Sequence, residues 1–326
     1  MPDLDKLILN KNKKKQLFTP GPSSILKENI LGLGPCFGRN DADYKKTEKY
    51  VLNKLKKISG HKEIVCTQGS GSTALEIVAL NFLRGKILII STGFYSERLY
   101  NISKLVKKTH KFITKVQKVN WKQLKNVKGE FDWVWACPVE TSKGLKIPIL
   151  EIKNFSDKIK AKLALDATAS IGLEENHNLA EVISFSSCKG LMGLTGACFV
   201  NYNTKPKNKV NSFVLNIKNL KSKKMTGPYH TIQSLMNVLK KYEYFRQSIF
   251  INKNRCKIKF KKNLVYNFKN QPQICSYISK KIKYKNKKKA IIYKPRASIK
   301  GSIISHLGEA HLGKKSKGKI LNFVSI

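Results

Sequence analysis

Apolar positions alternate between two spacings along the first two-thirds of the chain. Residues 44–57 place Val51, Leu52 and Leu55 at helical spacing and run into Ser59-Gly60, a stop signal. Residues 63–67 form a short β-branched run, followed by the glycine-rich turn Gln68-Gly69-Ser70-Gly71-Ser72. Residues 73–83 then return to a helical pattern. Residues 86–91 read as a buried strand and 97–108 as a helix, and further strand patterns cover 131–137, 162–166, 181–187 and 197–201. Strands separated by helix-length segments predict an α/β fold whose mostly parallel sheet is covered on both faces. From about Ile251 the pattern weakens and lysine takes over. The chain is therefore divided into a large domain over residues 1–250, with 1–18 as an N-terminal arm, and a smaller domain over 251–326.

Composition supports a folded protein, since 41% hydrophobic and 9% aromatic residues over 326 positions supply a core that disordered chains lack. No apolar run approaches the roughly 20 residues of a membrane helix. The first fifteen residues show neither the apolar stretch nor the small-residue cleavage site of a signal peptide, so a soluble, cytoplasmic protein without a membrane partner is expected. Charge complicates the picture: 64 Lys and Arg oppose 20 Asp and Glu, a formal net charge of +44. The excess is uneven, with five lysines against six acids over 151–200 but 21 Lys and Arg against Glu309 alone over 251–326. Such a tail could neutralise phosphates. However, lysine far outnumbers arginine, the lysines are scattered, and Asn is abundant beside them, which argues against a nucleic-acid partner. A solvated surface that draws anionic substrates is the better reading. The seven cysteines are odd in number and widely spaced, without a CxxC pair, as reduced thiols would be. His306 and His311 are five apart and no HExxH occurs, so no metal site is expected.

Three places carry candidate chemistry. Gly69 to Thr73 lies between a strand and a helix, where free N–H groups at a helix start can cradle a phosphate. It is neither a P-loop nor a GxGxxG, and on its own it is also what a plain turn looks like. Asp166 ends the apolar strand Leu163-Ala164-Leu165, where α/β sheets bind ligands, although a capping aspartate would look the same. Lys189 ends the strand-like run Ser184-Phe185-Ser186-Ser187-Cys188, and a lysine beside an apolar strand end loses hydration, favouring its nucleophilic amine. A lysine, an acid 23 positions earlier and a serine-glycine cradle upstream together suit pyridoxal phosphate, which needs a Schiff-base lysine, an acid for its ring nitrogen and a phosphate cup.

With these residues the chain resembles the class V aminotransferases of fold-type I, most closely the 2-aminoethylphosphonate–pyruvate transaminases and next the alanine/serine–glyoxylate aminotransferases. The matching stretches occur in family order over roughly residues 17–245. They are Thr19-Pro20-Gly21-Pro22, Asp41-Ala42-Asp43-Tyr44, the turn at 68–72, Gly93-Phe94-Tyr95-Ser96-Glu97-Arg98, Glu140-Thr141-Ser142-Lys143-Gly144, residues 166–170 and 186–189, and Pro228-Tyr229-His230-Thr231. The resemblance implies a large, mostly parallel sheet domain, a shortened C-terminal small domain, pyridoxal 5'-phosphate as cofactor, and a homodimer with shared sites. It implies small amine and keto-acid substrates and a ping-pong transfer of an amino group from 2-aminoethylphosphonate to pyruvate, or the reverse.

Carried over by residue, Lys189 is the Schiff-base lysine and proton shuttle, and Asp166 pairs with the pyridinium nitrogen. Ser70, Gly71 and Ser72 hold the phosphate, and Tyr95 stacks on the ring. Thr141 reaches the ring hydroxyl or phosphate side, Thr168 packs beneath the ring, and Tyr229 and Thr231 reach the phosphate of the neighbouring subunit. Two departures stand out. Cys188 occupies a position that is commonly Gln or Asn, removing one phosphate contact, and Ile303 stands where the family's substrate-clamping arginine is expected. Arg296 or Lys300 is the available replacement. The alternatives to the phosphonate reading are an alanine/serine–glyoxylate aminotransferase and a degenerate, non-catalytic basic binding protein.

Overall fold

A computed structural model describes residues 3–312 and 320–326. The central sheet has seven strands: β1 (Glu63–Gln68), β2 (Gly85–Ser91), β3 (Ile113–Asn120), β4 (Trp133–Ala136), β5 (Lys162–Asp166), β6 (Val182–Ser186) and β7 (Ala197–Tyr202). Their spatial order is β1-β7-β6-β5-β4-β2-β3. From β6 to β3 every pairing is parallel, whereas β7 runs antiparallel to both of its neighbours. The central strands are apolar runs because both faces are buried. Side chains alternate between two cores: Leu88, Ile90, Leu163 and Leu165 on one side, Ile87, Ile89, Trp135 and Ala164 on the other.

Helices cover both faces. They are α1 (Ala42–Ser59), α2 (Gly71–Asn81), α3 (Phe94–Thr109), α4 (Ile149–Lys158), α5 (Tyr229–Lys240) and α6 (Tyr242–Lys259). Asp41 caps α1 by accepting the N–H groups of Asp43 and Tyr44, and Gly60 closes it with φ +71°. The acidic Asp41-to-Tyr44 motif thus has a local structural role. Helix α3 starts at Phe94, three residues before the patterned stretch, which puts Tyr95 in its first turn. The edge strand β3 and helices α4 to α6 are additions to the sequence-based outline.

The change of composition near Ile251 falls inside α6, which continues unbroken to Lys259. Beyond it, β8 (Cys275–Ile278) pairs antiparallel with β10 (Ser302–Ser305), and β9 (Ala290–Ile292) pairs parallel with the N-terminal strand Gln16–Phe18. Phe18 shares a third apolar cluster with Cys256, Phe260, Ile278 and Ile304, so the arm is built into the C-terminal segment. Ile303 is a buried core residue opposite Tyr277. Among the described residues no helix is long and apolar enough to cross a membrane, and no three His, Cys, Asp or Glu side chains are grouped to hold a metal.

Candidate active site

Adjacent parallel strands β5 and β6 deliver Asp166 and the 187–189 loop to the same end of the sheet. There a cavity of about 290 Å³ is lined by Lys189, Asp166, Thr168, Tyr95 and Arg296, and by Ser70, Gly71 and Ser72 at the start of α2. The sequence-predicted residues Thr141, Tyr229 and Thr231 lie outside its wall.

Asp166 is only 6% exposed, and its Oδ1 accepts the Thr168 N–H at 3.0 Å, which fixes the carboxylate at the strand end. The Lys189 Nζ lies 4.7 Å from the centroid of the Tyr95 ring. Gly21 packs on the lysine stem: a Cβ there would come within 2.7 Å of Lys189 Cγ, and φ is +145°. The Ser23 N–H donates to Cys188 O at 2.7 Å, fastening the N-terminal segment along the lysine loop. In the turn before α2, the Ser70 N–H donates to Thr73 Oγ1 at 3.3 Å. A Cβ on Gly71 would sit 3.1 Å from Thr168 Oγ1, so glycine lets the turn close against the β5 end. The first N–H groups of α2 have no carbonyl one turn earlier, and Ser70, Gly71 and Ser72 at this positive helix end line the cavity. Burial, with the Asp166 charge nearby, pushes the Cys137 thiol well up, so it remains protonated.

Tyr95 is held from behind by a residue to which sequence reasoning gave no role. The fully buried Glu140 accepts the N–H groups of Tyr95 at 2.9 Å, Ser96 at 3.3 Å and Ser142 at 3.2 Å, as well as the Ser142 hydroxyl. Burial raises its carboxyl pKa, while the hydrogen bonds from Ser142, Ser96 and Tyr95 oppose the rise. A carboxylate at the first turn of α3 also meets the positive end of the helix dipole. Thr141 is buried beside Tyr293, whose hydroxyl is pushed up by burial with Tyr95 also close. It supports the aromatic wall from outside the cavity. Tyr229 packs on Tyr44 with centroids 4.4 Å apart, in a separate cavity with Glu48, Cys66 and Lys223. The Thr231 hydroxyl donates to Thr195 O at 3.3 Å, and Thr195 lines the candidate site, so Thr231 backs its rim.

Arg98 is a further wall residue. Its Nη1 donates to Ser72 Oγ at 2.9 Å, and its guanidinium lies 5.3 Å from the Tyr95 centroid and 5.8 Å from that of Phe94. The Arg296 guanidinium lies 5.2 Å from the same Phe94 ring. The spacing of Arg98 three positions after Tyr95, on one helix face, was the available signal for it. Ile303 contributes no anion contact, because β10 turns it into the core.

An α/β sheet that opens a ligand cavity at the carboxyl ends of its central strands defines the broad class. The chain belongs to the class-V aminotransferase family, whose family model, described as Aminotransferase class-V, matches residues 39–237. An uncharacterized aminotransferase of Helicobacter pylori is 26% identical over 171 residues, covering 48% of this chain and 45% of that protein. A 2-aminoethylphosphonate–pyruvate transaminase of Pseudomonas aeruginosa is 26% identical over 197 residues, covering 56% and 53%. The chain thus spans about half the length of the curated relatives it matches. Among solved structures, an alanine–glyoxylate aminotransferase from Nostoc superposes with a TM-score of 0.77 at 14% identity, covering 94% of this chain and 95% of that one. At that identity the likeness is one of fold. The family implies pyridoxal 5'-phosphate as cofactor. The groups gathered in the cavity suit it: a primary amine, an acid, a flat aromatic face and a serine-glycine turn at a helix start.

Proposed function

We propose that the protein is a transaminase that moves an amino group between 2-aminoethylphosphonate and pyruvate, in either direction, through two half-reactions in one site. The observation that carries this reading is the opening of Lys189, Asp166, Tyr95 and the Ser70-to-Ser72 turn onto a single cavity. Pyridoxal phosphate, when bound, supplies an electron sink that makes a proton on the amino-bearing carbon removable. Lys189 would anchor the cofactor through its amine and, once the substrate amine has displaced it, would take that proton and return it to the cofactor carbon on the other side of the shared nitrogen, which requires a neutral amine within hydrogen-bond reach. Asp166 holds the protonated ring nitrogen, with the Thr168 N–H fixing one carboxylate oxygen. Ser70, Gly71 and Ser72 grip the phosphate, Tyr95 provides the stacking plate and Thr168 supports the ring from below. Thr141 works through Tyr95 and its aromatic neighbours.

Arg296 takes the anionic end of the substrate in place of the arginine that Ile303 replaces. Tyr229 and Thr231 serve the site of a second copy, making the functional unit a homodimer, and residues 251–326 act as the small domain beside the site. The named Pseudomonas relatives support the phosphonate donor, and a surface of net charge +44 suits a dianion.

The test is to refold the chain with pyridoxal phosphate, record its visible absorption band, and measure alanine formed from pyruvate with 2-aminoethylphosphonate as donor. A band with alanine formation is expected. A band without turnover of this donor, but with turnover of alanine or serine and glyoxylate, selects the glyoxylate-type reading. Absence of any band removes the enzyme reading.

A further inference from the structure

We infer that Arg98 is a phosphate anchor of the cofactor site, standing in for the contact that Cys188 does not give. The inference rests on the pyridoxal-phosphate reading above. Arg98 projects from the first turns of α3, while the cup it serves lies at the start of α2, 26 positions earlier. The two meet through the 2.9 Å bond from its Nη1 to Ser72 Oγ. That bond uses one of the five guanidinium N–H groups and leaves others for an anion. Among the described residues no salt bridge joins Arg98 to a carboxylate, and its partners within the protein are the Ser72 hydroxyl and the Phe94 and Tyr95 rings.

The guanidinium is also held in place before any ligand arrives. Tyr95 and Phe94 flank it at 5.3 and 5.8 Å, and it lines the same cavity as Ser70, Gly71 and Lys189. Cys188 lines the same cavity, with its sulfur 3.7 Å from Ser186 Oγ. A thiol is a weak donor and cannot replace an amide side chain toward a phosphate. A fixed guanidinium bonded to a cup hydroxyl makes good that loss with charge-assisted hydrogen bonds. Arg296 makes no such bond to the cup and is left for substrate.

The experiment compares two ligands that differ only in the phosphate. The apo full-length chain and its Arg98→Met and Arg98→Lys variants are titrated with pyridoxal phosphate and with pyridoxal, following the absorption change. Circular dichroism checks that each variant is folded. In Arg98→Met, pyridoxal phosphate affinity is expected to fall by about tenfold to a hundredfold, the range of a lost charge-assisted hydrogen bond, while pyridoxal affinity holds within about twofold. Arg98→Lys keeps the charge without the planar fork and should show a smaller loss, again confined to the phosphorylated ligand. If Arg98→Met does not fold, the lysine variant decides by the same ligand difference. Equal losses for both ligands, or no loss for either, overturn the inference. A wild-type chain that binds neither ligand overturns the cofactor reading itself, a different outcome from a wild type that binds and an indifferent Arg98.

Discussion

Two lysines, one at the sheet end and one at the seam with the C-terminal segment, each lie over an aromatic ring. Lys189 Nζ lies 4.7 Å from the Tyr95 centroid, and Lys253 Nζ lies 4.4 Å from that of Phe268. Lys253 is the more deeply buried, at 2% exposure, and burial lowers its pKa to about 8. Yet its amine is spent on Gln271 O at 3.0 Å, beside Glu174. Glu174 in turn pairs with Lys146 at 3.0 Å and accepts the Gln273 N–H. Lys189 instead faces an open cavity with a fixed carboxylate in its wall. Loss of water therefore does not by itself mark a reactive lysine. What matters is whether the donors of the amine are already committed to protein atoms.

Substitutions can break this contrast. Lys189→Ala should have the largest effect, removing the cofactor band and lowering transamination by about 10²–10⁴-fold or more, while the unfolding midpoint of the apo chain stays close to wild type. Glu140→Gln should come next. It turns an amide N–H₂ toward donors that now share a carboxylate, costing about 1–3 kcal/mol in denaturant unfolding and loosening Tyr95. A matching weakening of cofactor binding would separate it from a remote core change. Lys253→Met should leave the band and the rate unchanged, and near neutral pH the lost bond to the Gln271 carbonyl is offset by relief from burying a charge, so stability should not fall. Activity loss in Lys253→Met would reverse the assignment of the two lysines.

The contrast between the two lysines also depends on pH. Lys253 has a native pKa of about 8 against an ordinary value of 10.5. Between those values the unfolded chain binds the proton and the native chain does not, so this lysine makes stability rise with pH across that window. The wild type should gain on Lys253→Met by at most about 1.4 kcal/mol per pH unit from pH 8 upward, read by urea unfolding at each pH.

The parts that were legible in the sequence are those that local pattern specifies. Strands β2 and β5 carry continuous apolar runs, and β6 is wholly buried with only small serines between its apolar residues, because the sheet buries both faces; Asp166 and Lys189 are polar residues that end or follow such strands. Strand β3 was missed because it is an edge: Ile113, Val116 and Val119 are its more buried positions, with exposed lysines and other polar residues between them. The roles of Glu140 and Arg98 depend on meetings across 45 and 26 positions, which no spacing rule encodes. Lys253 was hidden by abundance, since nothing local separates one buried lysine from the many exposed ones around it. Tyr229 and Thr231 fall outside the cavity of their own chain, and only the family resemblance had assigned them to a neighbour's site.

Gly21 gives the opening segment of the chain an unexpected say in the chemistry. Because a single methyl group there would press on the stem of Lys189, positions 21 and 189 form one lock, and neither can drift without the other. A chain trimmed just past that glycine would keep every strand of its central sheet and still leave Lys189 with one wall missing.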